Sequence, residues 1–133
     1  MAADSYHVGT DGSEIILNVR VSTAGIAFSK AQLFVDKAGT DIPNCDCDDD
    51  GDIIDCQTGV NTDIKGKMLG IATSVDLETV DPSLWQTMYD NLVIKYTLSG
   101  GTGGKKTFNY ADEDKSKDPT GQFIQVNKFI NLI

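Results

Sequence analysis

The sequence predicts an all-β fold, a single antiparallel β-sandwich, with a small β-barrel as the alternative. Three observations carry that prediction. Apolar and polar residues alternate over several short stretches, the period of a half-buried strand. Gly, Pro, Asn and Asp clusters separate those stretches. The long amphipathic helices that parallel strands need as crossovers are missing, which leaves antiparallel pairing.

The elements follow in order. Residues 14–22, EIILNVRVS, place Ile15, Leu17, Val19 and Val21 on one face and Asn18, Arg20 and Ser22 on the other. Residues 26–36, IAFSKAQLFVD, read as a second strand with Phe28 and Phe34, or Leu33 and Val35, available to a core. Its alternation slips near Ser29 to Ala31, which predicts a bulge there. Residues 37–66 hold four glycines, one proline and ten aspartates or asparagines. They read as one long Asp/Cys-rich loop with at most a short hairpin around Ile53 and Ile54, and a loop of that length is usually functional or tied down.

Residues 67–79 alternate again through Leu69, Ile71, Thr73, Val75 and Leu77. The segment 81–90 predicts the one short helix: Asp81 as N-cap, Pro82 at the first helical position, then Leu84, Trp85 and Met88 on one face. A hairpin follows, with Leu92, Ile94, Tyr96 and Leu98 on one arm, a GGTGG turn, and Phe108 and Tyr110 on the other. The last strand sets Ile124, Val126, Ile130 and Leu132 on one face up to the final residue. So apolar a terminal strand is expected to pair in the sheet or against a partner. No repeat or linker divides the chain, so residues 1–133 are read as one domain, a length sufficient for one core.

Charge narrows the function. The chain has 20 acids against 11 bases and a net charge of −9; 17 of the acids are Asp, and Arg20 is the only arginine. Phosphate binding needs a basic surface, so nucleic acid is excluded as a partner. No apolar run is long enough to span a bilayer, and the start MAADSYHVGTDG lacks the features of a signal peptide. An extracellular location therefore requires that a signal was removed, and the compartment stays unassigned.

Six aspartates, Asp46, Asp48, Asp49, Asp50, Asp52 and Asp55, fall within residues 46–55 with no Lys or Arg among them. Neighbouring carboxylates ~6 Å apart repel by roughly 0.7 kcal/mol per pair even in water. A cation would relieve this. Asp46, Asp48 and Asp50 followed by Gly51 fit the first half of a calcium loop, in which alternate carboxylates converge and a glycine reverses the chain. Asp52 would add a carbonyl, and Asp55 would close a shortened site. The second half departs from the pattern, with Gln57 where a bidentate glutamate belongs. The expectation is a weak calcium site, set against a solvated turn without metal.

Cys45, Cys47 and Cys56 are the only cysteines, so one lacks an intrachain partner. Cys45 or Cys47 can bridge to Cys56 across the acidic run; Cys47 and Cys56 are taken as the candidate pair. Their spacing matches no zinc motif. His7, the only histidine, lies in an N-terminal arm, which disfavours nucleophilic catalysis. The run from Ser99 to Lys106 fails the phosphate-loop pattern at both ends and reads as a hairpin turn. The aromatic residues Trp85, Tyr89, Tyr96, Phe108 and Tyr110 are assigned to the core, leaving carbohydrate binding without support.

The chain is thus expected to be a non-enzymatic binding or assembly module, its Asp-rich loop taking calcium to order an interface. A metal-free structural subunit of a larger assembly is the alternative, with protein partners or self-association through edge strands. A hydrolase using carboxylates such as Asp76, Glu78 and Asp90 is the weakest reading.

Overall fold

The computed structural model describes residues 3–133; Met1 and Ala2, part of the stretch read for a signal peptide, lie outside them. Ten strands form two sheets that are not closed into a barrel. They are β1 (Asp4–Tyr6), β2 (Glu14–Ser22), β3 (Ile26–Val35), β4 (Ala38–Cys47), β5 (Ile53–Val60), β6 (Met68–Asp76), β7 (Val93–Ser99), β8 (Lys106–Asn109), β9 (Lys115–Lys117) and β10 (Phe123–Leu132). The larger sheet runs β1-β10-β6-β3-β4, with β9 also on β10; the smaller runs β5-β2-β7-β8.

The alternation read from the sequence is what stacks the sheets. Ile15, Leu17 and Val19 from β2 and Ile94, Tyr96 and Leu98 from β7 face Leu69, Ile71 and Val75 from β6 and Ile124, Val126 and Ile130 from β10, all buried. Each aliphatic side chain so buried contributes about 1.5–3 kcal/mol. Every strand pair is antiparallel except β1 with β10, where the first and last strands run side by side in parallel.

Residues 37–66 are not a long loop. They fold as β4 and β5, an edge strand of each sheet, followed by the helical turn α1 (Asn61–Ile64). Irregular pairing hid these strands. Between the pairs Lys30↔Asp46 and Gln32↔Asp41, four residues of β4 pass a single residue of β3. Asn44 and Asp55 take left-handed backbone (φ 61° and 50°), which these residue types tolerate. The inward residues Ile42, Cys45, Ile53, Cys56 and Thr58 therefore never fall into a simple period. The bulge expected in the second strand lies in its partner, since β3 pairs with β6 without a break.

Ala27, Ser29 and Ala31 of β3 face inward, which turns Phe28 and Phe34 outward. The predicted helix is a 3₁₀ turn, Pro82–Leu84, running into α2 (Trp85–Asp90), with the Asp81 carboxylate accepting from the Ser83 N–H at 3.0 Å. Trp85 anchors it, donating its indole N–H to the carbonyls of Leu77 and Val80. Leu84 departs from the expected apolar face and is exposed, because the tighter 3₁₀ turn rotates it off that face.

Candidate functional site

The acidic turn between β4 and β5 spreads its carboxylates instead of converging them. Asp46 lies on β4 opposite Lys30. Asp50 turns back on its own loop, accepting from the Asp52 N–H at 2.9 Å and the Cys47 thiol at 3.2 Å. These hydrogen bonds, the backbone one first, hold its carboxyl below the usual aspartate range. Asp52 accepts from the Val21 N–H at 2.8 Å and reaches Arg20 at 3.9 Å. Asp55 exchanges hydrogen bonds with Asn18. Asp48 and Asp49 are exposed, and the Asp49 carbonyl accepts from Ala27. No group of three His, Cys, Asp or Glu side chains fit to hold a metal comes together among the described residues. Gly51, the residue that would reverse a calcium loop, serves packing instead. A Cβ there would stand 2.7 Å from Ala27 Cβ and 3.0 Å from Val21 Cγ2, and its φ is 78°. Only glycine lets the turn seat against the sandwich.

The disulfide joins Cys45, not Cys47, to Cys56. Cys45 and Cys56 both point into the core from the two edge strands, so the bond ties the sheets together along one margin. Cys47 sits nearer the turn, opposite Ser29, and is the free thiol.

Other sequence candidates also resolve into structure. The glycine-rich turn after β7 packs over β1: Gly101 donates to the Tyr6 hydroxyl at 3.0 Å and Gly103 to the His7 carbonyl at 3.0 Å. Asp76 accepts from Glu78 N–H and Gln122, while Asp90 accepts from Gln86, so these acids share no focus. Tyr96 and Phe108 are buried, and Tyr89 and Tyr110 flank the Lys115 ammonium.

What the sequence did not single out is the outer face of the larger sheet. Register places Phe28 and Phe34 of β3 on one side of a row of small residues on β6, Gly70, Ala72 and Ser74; Phe123 and Phe129 of β10 stand on the other side. Ile26, Phe28, Phe123 and Phe129 remain 39–49% exposed. Phe34 and Phe129 meet edge to face above Gly70, ring centroids 5.8 Å apart. A Cβ at Gly70 would lie 2.6 Å from Phe34 and 3.0 Å from Phe129, so the glycine creates the seat for both rings. Beside them lies a depression of about 210 Å³ floored by Gly70 and Ala72. Across the outward rows of β3, β6 and β10 the charges are Lys30, paired with Asp41 at 2.9 Å, and Asp76. The smaller sheet presents Arg20, Lys95, Thr97 and Thr107 instead.

Comparison with protein-family models, curated proteins and solved structures gives no match to this chain.

Proposed function

We propose that this domain is a non-catalytic assembly module that associates through the outer face of its larger sheet, with a second copy as the partner. One observation supports this above all: exposed phenylalanines flank a row of small residues on three strands whose outward charges are Lys30 and Asp76, with Asp41, Asp46 and Asp48 at the border of that strip, while the chain as a whole carries −9. Interface cores are marked by depletion of charge and enrichment in aromatics. Two acidic copies repel over most orientations, and this face is where they can approach closely.

Area supports a second copy. At ~3.4 Å per residue and ~4.8 Å between strands, β3, β6 and β10 project about 470 Å², and β4, which adds Asp41 and Asp46 as a charged rim, brings this to about 640 Å²; a ridged surface exceeds its projection. A standard interface buries about 800 Å² per partner. The strand edges offer less: β1, β8 and β9 have three or four residues each, and the longer edge strands β4 and β5 are interrupted by bulges. Calcium has no part in this reading. The disulfide supports folding in an oxidising compartment, and no helix among the described residues is long and apolar enough to cross a membrane.

Sedimentation equilibrium over a wide concentration range tests the proposal. Wild-type protein is expected to approach a dimer, and Phe28→Asp with Phe129→Asp to remain monomeric with an unchanged circular dichroism spectrum. A monomer at every concentration, identical in both proteins, would overturn it.

A further inference from the structure

We infer that Lys128 and Asp4 are the reacting pair of an intramolecular amide crosslink between the last strand and the first. Lys128 lies on the inward side of β10 between Val126 and Ile130, where the alternation calls for an apolar residue, and is only 5% exposed. It is the one charged residue in the buried set, alongside Ser29, Thr58, Asn61 and Thr73. Its Nζ stands 2.5 Å from Asp4 Oδ2. Asp4 sits on β1 opposite Ile130, one inward position along β10 from Lys128, so the parallel pairing of β1 with β10 sets the two side chains against each other.

The pair opens into a cavity of about 330 Å³ between β10 and the turn after β8. Phe129, Tyr110 and Ala111 supply part of its lining, and Glu113 and Asp114 add two further carboxyls. The reaction requires one proton to pass from the ammonium to the Asp4 carboxylate across their direct contact, in which the amine is withdrawn from water and the carboxylate is half exposed. The neutral Nζ then attacks Asp4 Cγ. A C–N bond forms, the bond from Cγ to one carboxyl oxygen breaks, and that oxygen leaves as water with two of the three ammonium protons. Nothing is oxidised or reduced, and no co-reactant is needed. Glu113 and Asp114 are the groups on the cavity wall able to relay the proton from nitrogen to the departing oxygen.

The test is intact-mass spectrometry on the full chain, reduced and denatured after purification. The expected mass is lower by one water than the sequence requires, and proteolysis should yield a branched peptide joining the segments around Asp4 and Lys128. Lys128→Met, which keeps an apolar stem in the site, and Asp4→Ala should each show their full sequence mass. The Glu113→Gln, Asp114→Asn double variant should form the link at least tenfold more slowly. Folded wild-type protein that keeps its full mass on prolonged incubation would overturn the crosslink, and an unchanged rate in the double variant would overturn the relay.

Discussion

The acidic turn at residues 46–55 and the Asp4–Lys128 pair lie on different strands and handle charge in opposite ways. The turn collects six aspartates and keeps most of them in water, its carboxylates hydrogen-bonded to N–H groups and the Cys47 thiol, drawn to Arg20, or standing free. The pair holds a single cation inside the core against one half-exposed carboxylate. Local charge density dominates a sequence, yet a solvated charge costs little and a buried one costs several kcal/mol. Chemistry is to be sought where a charge has been taken out of water.

The largest expected effect tests whether the turn's margin depends on its covalent tie or on its aspartates. Replacing both Cys45 and Cys56 by Ser should lower unfolding free energy by about 3 kcal/mol, the chain-entropy value for so short a loop, measured by urea denaturation. A loss under 1 kcal/mol would show that hairpin packing holds that margin alone.

Next comes a direct contrast of the two regions. Compared with wild-type protein that still shows its full mass, and so is not yet crosslinked, Asp4→Ala leaves the Lys128 ammonium without its partner and should cost about 2 kcal/mol, less than a fully buried pair because Asp4 is half exposed. The double change Asp48→Asn, Asp49→Asn should stay within ~0.5 kcal/mol of wild type. Equal costs would dissolve the distinction drawn between the regions.

Tyr96 sharpens the point with a neutral group. Its hydroxyl is buried without a hydrogen-bond partner, and desolvation, reinforced by Asp114 and Tyr110, pushes its pKa well above the ordinary 10.0. Tyr96→Phe should stabilise the protein by about 1 kcal/mol. In the wild type the unfolded phenol ionises first, so stability should fall as pH rises above 10. The phenylalanine variant should show a shallower alkaline decline; identical slopes would exclude Tyr96 as its source.

Smaller still is the acid response of the exposed aspartates. Asp50, Asp81 and Asp118 are held below 3.8 by hydrogen bonds, Asp118 first by Thr120 and then by the Phe123 N–H. Folded values below unfolded ones give stability that is present above about pH 4 and lost as pH falls through the lowered values. Melting temperature should therefore hold steady from neutrality towards pH 5 and drop below 4. Calcium should do least: melting curves with calcium and with chelator should coincide, and a clear rise with calcium would make the turn a metal site after all.

Most of the core was legible because β2, β6, β7 and β10 keep a strict period of two. Ile15, Leu17, Leu69, Ile71, Ile94 and Leu98 are buried where alternation put them. The strands β4 and β5 were hidden by a four-against-one bulge and by left-handed residues at Asn44 and Asp55, which scramble that period. Spacing leaves Cys45 and Cys47 equally placed to reach Cys56, and it is the bulge in β4 that turns Cys45 to the core. The outer face of the large sheet escaped because Phe28 and Phe34 read as core until Ala27, Ser29 and Ala31 are seen to point inward. Lys128 did leave a mark: it is the one charged residue in the apolar row from Ile124 to Leu132.

The parallel contact of β1 with β10 also governs how the fold bears a mechanical load. A pull applied at the outer ends of these two strands acts along them in opposite directions, so their pairing is loaded in shear and its hydrogen bonds must yield together. Three paired residues make a weak clamp on their own. Once Lys128 is bonded to Asp4, tension entering at one strand leaves through the other across a single amide. The 123 residues between them would then carry no force, whatever happens to the sandwich around them.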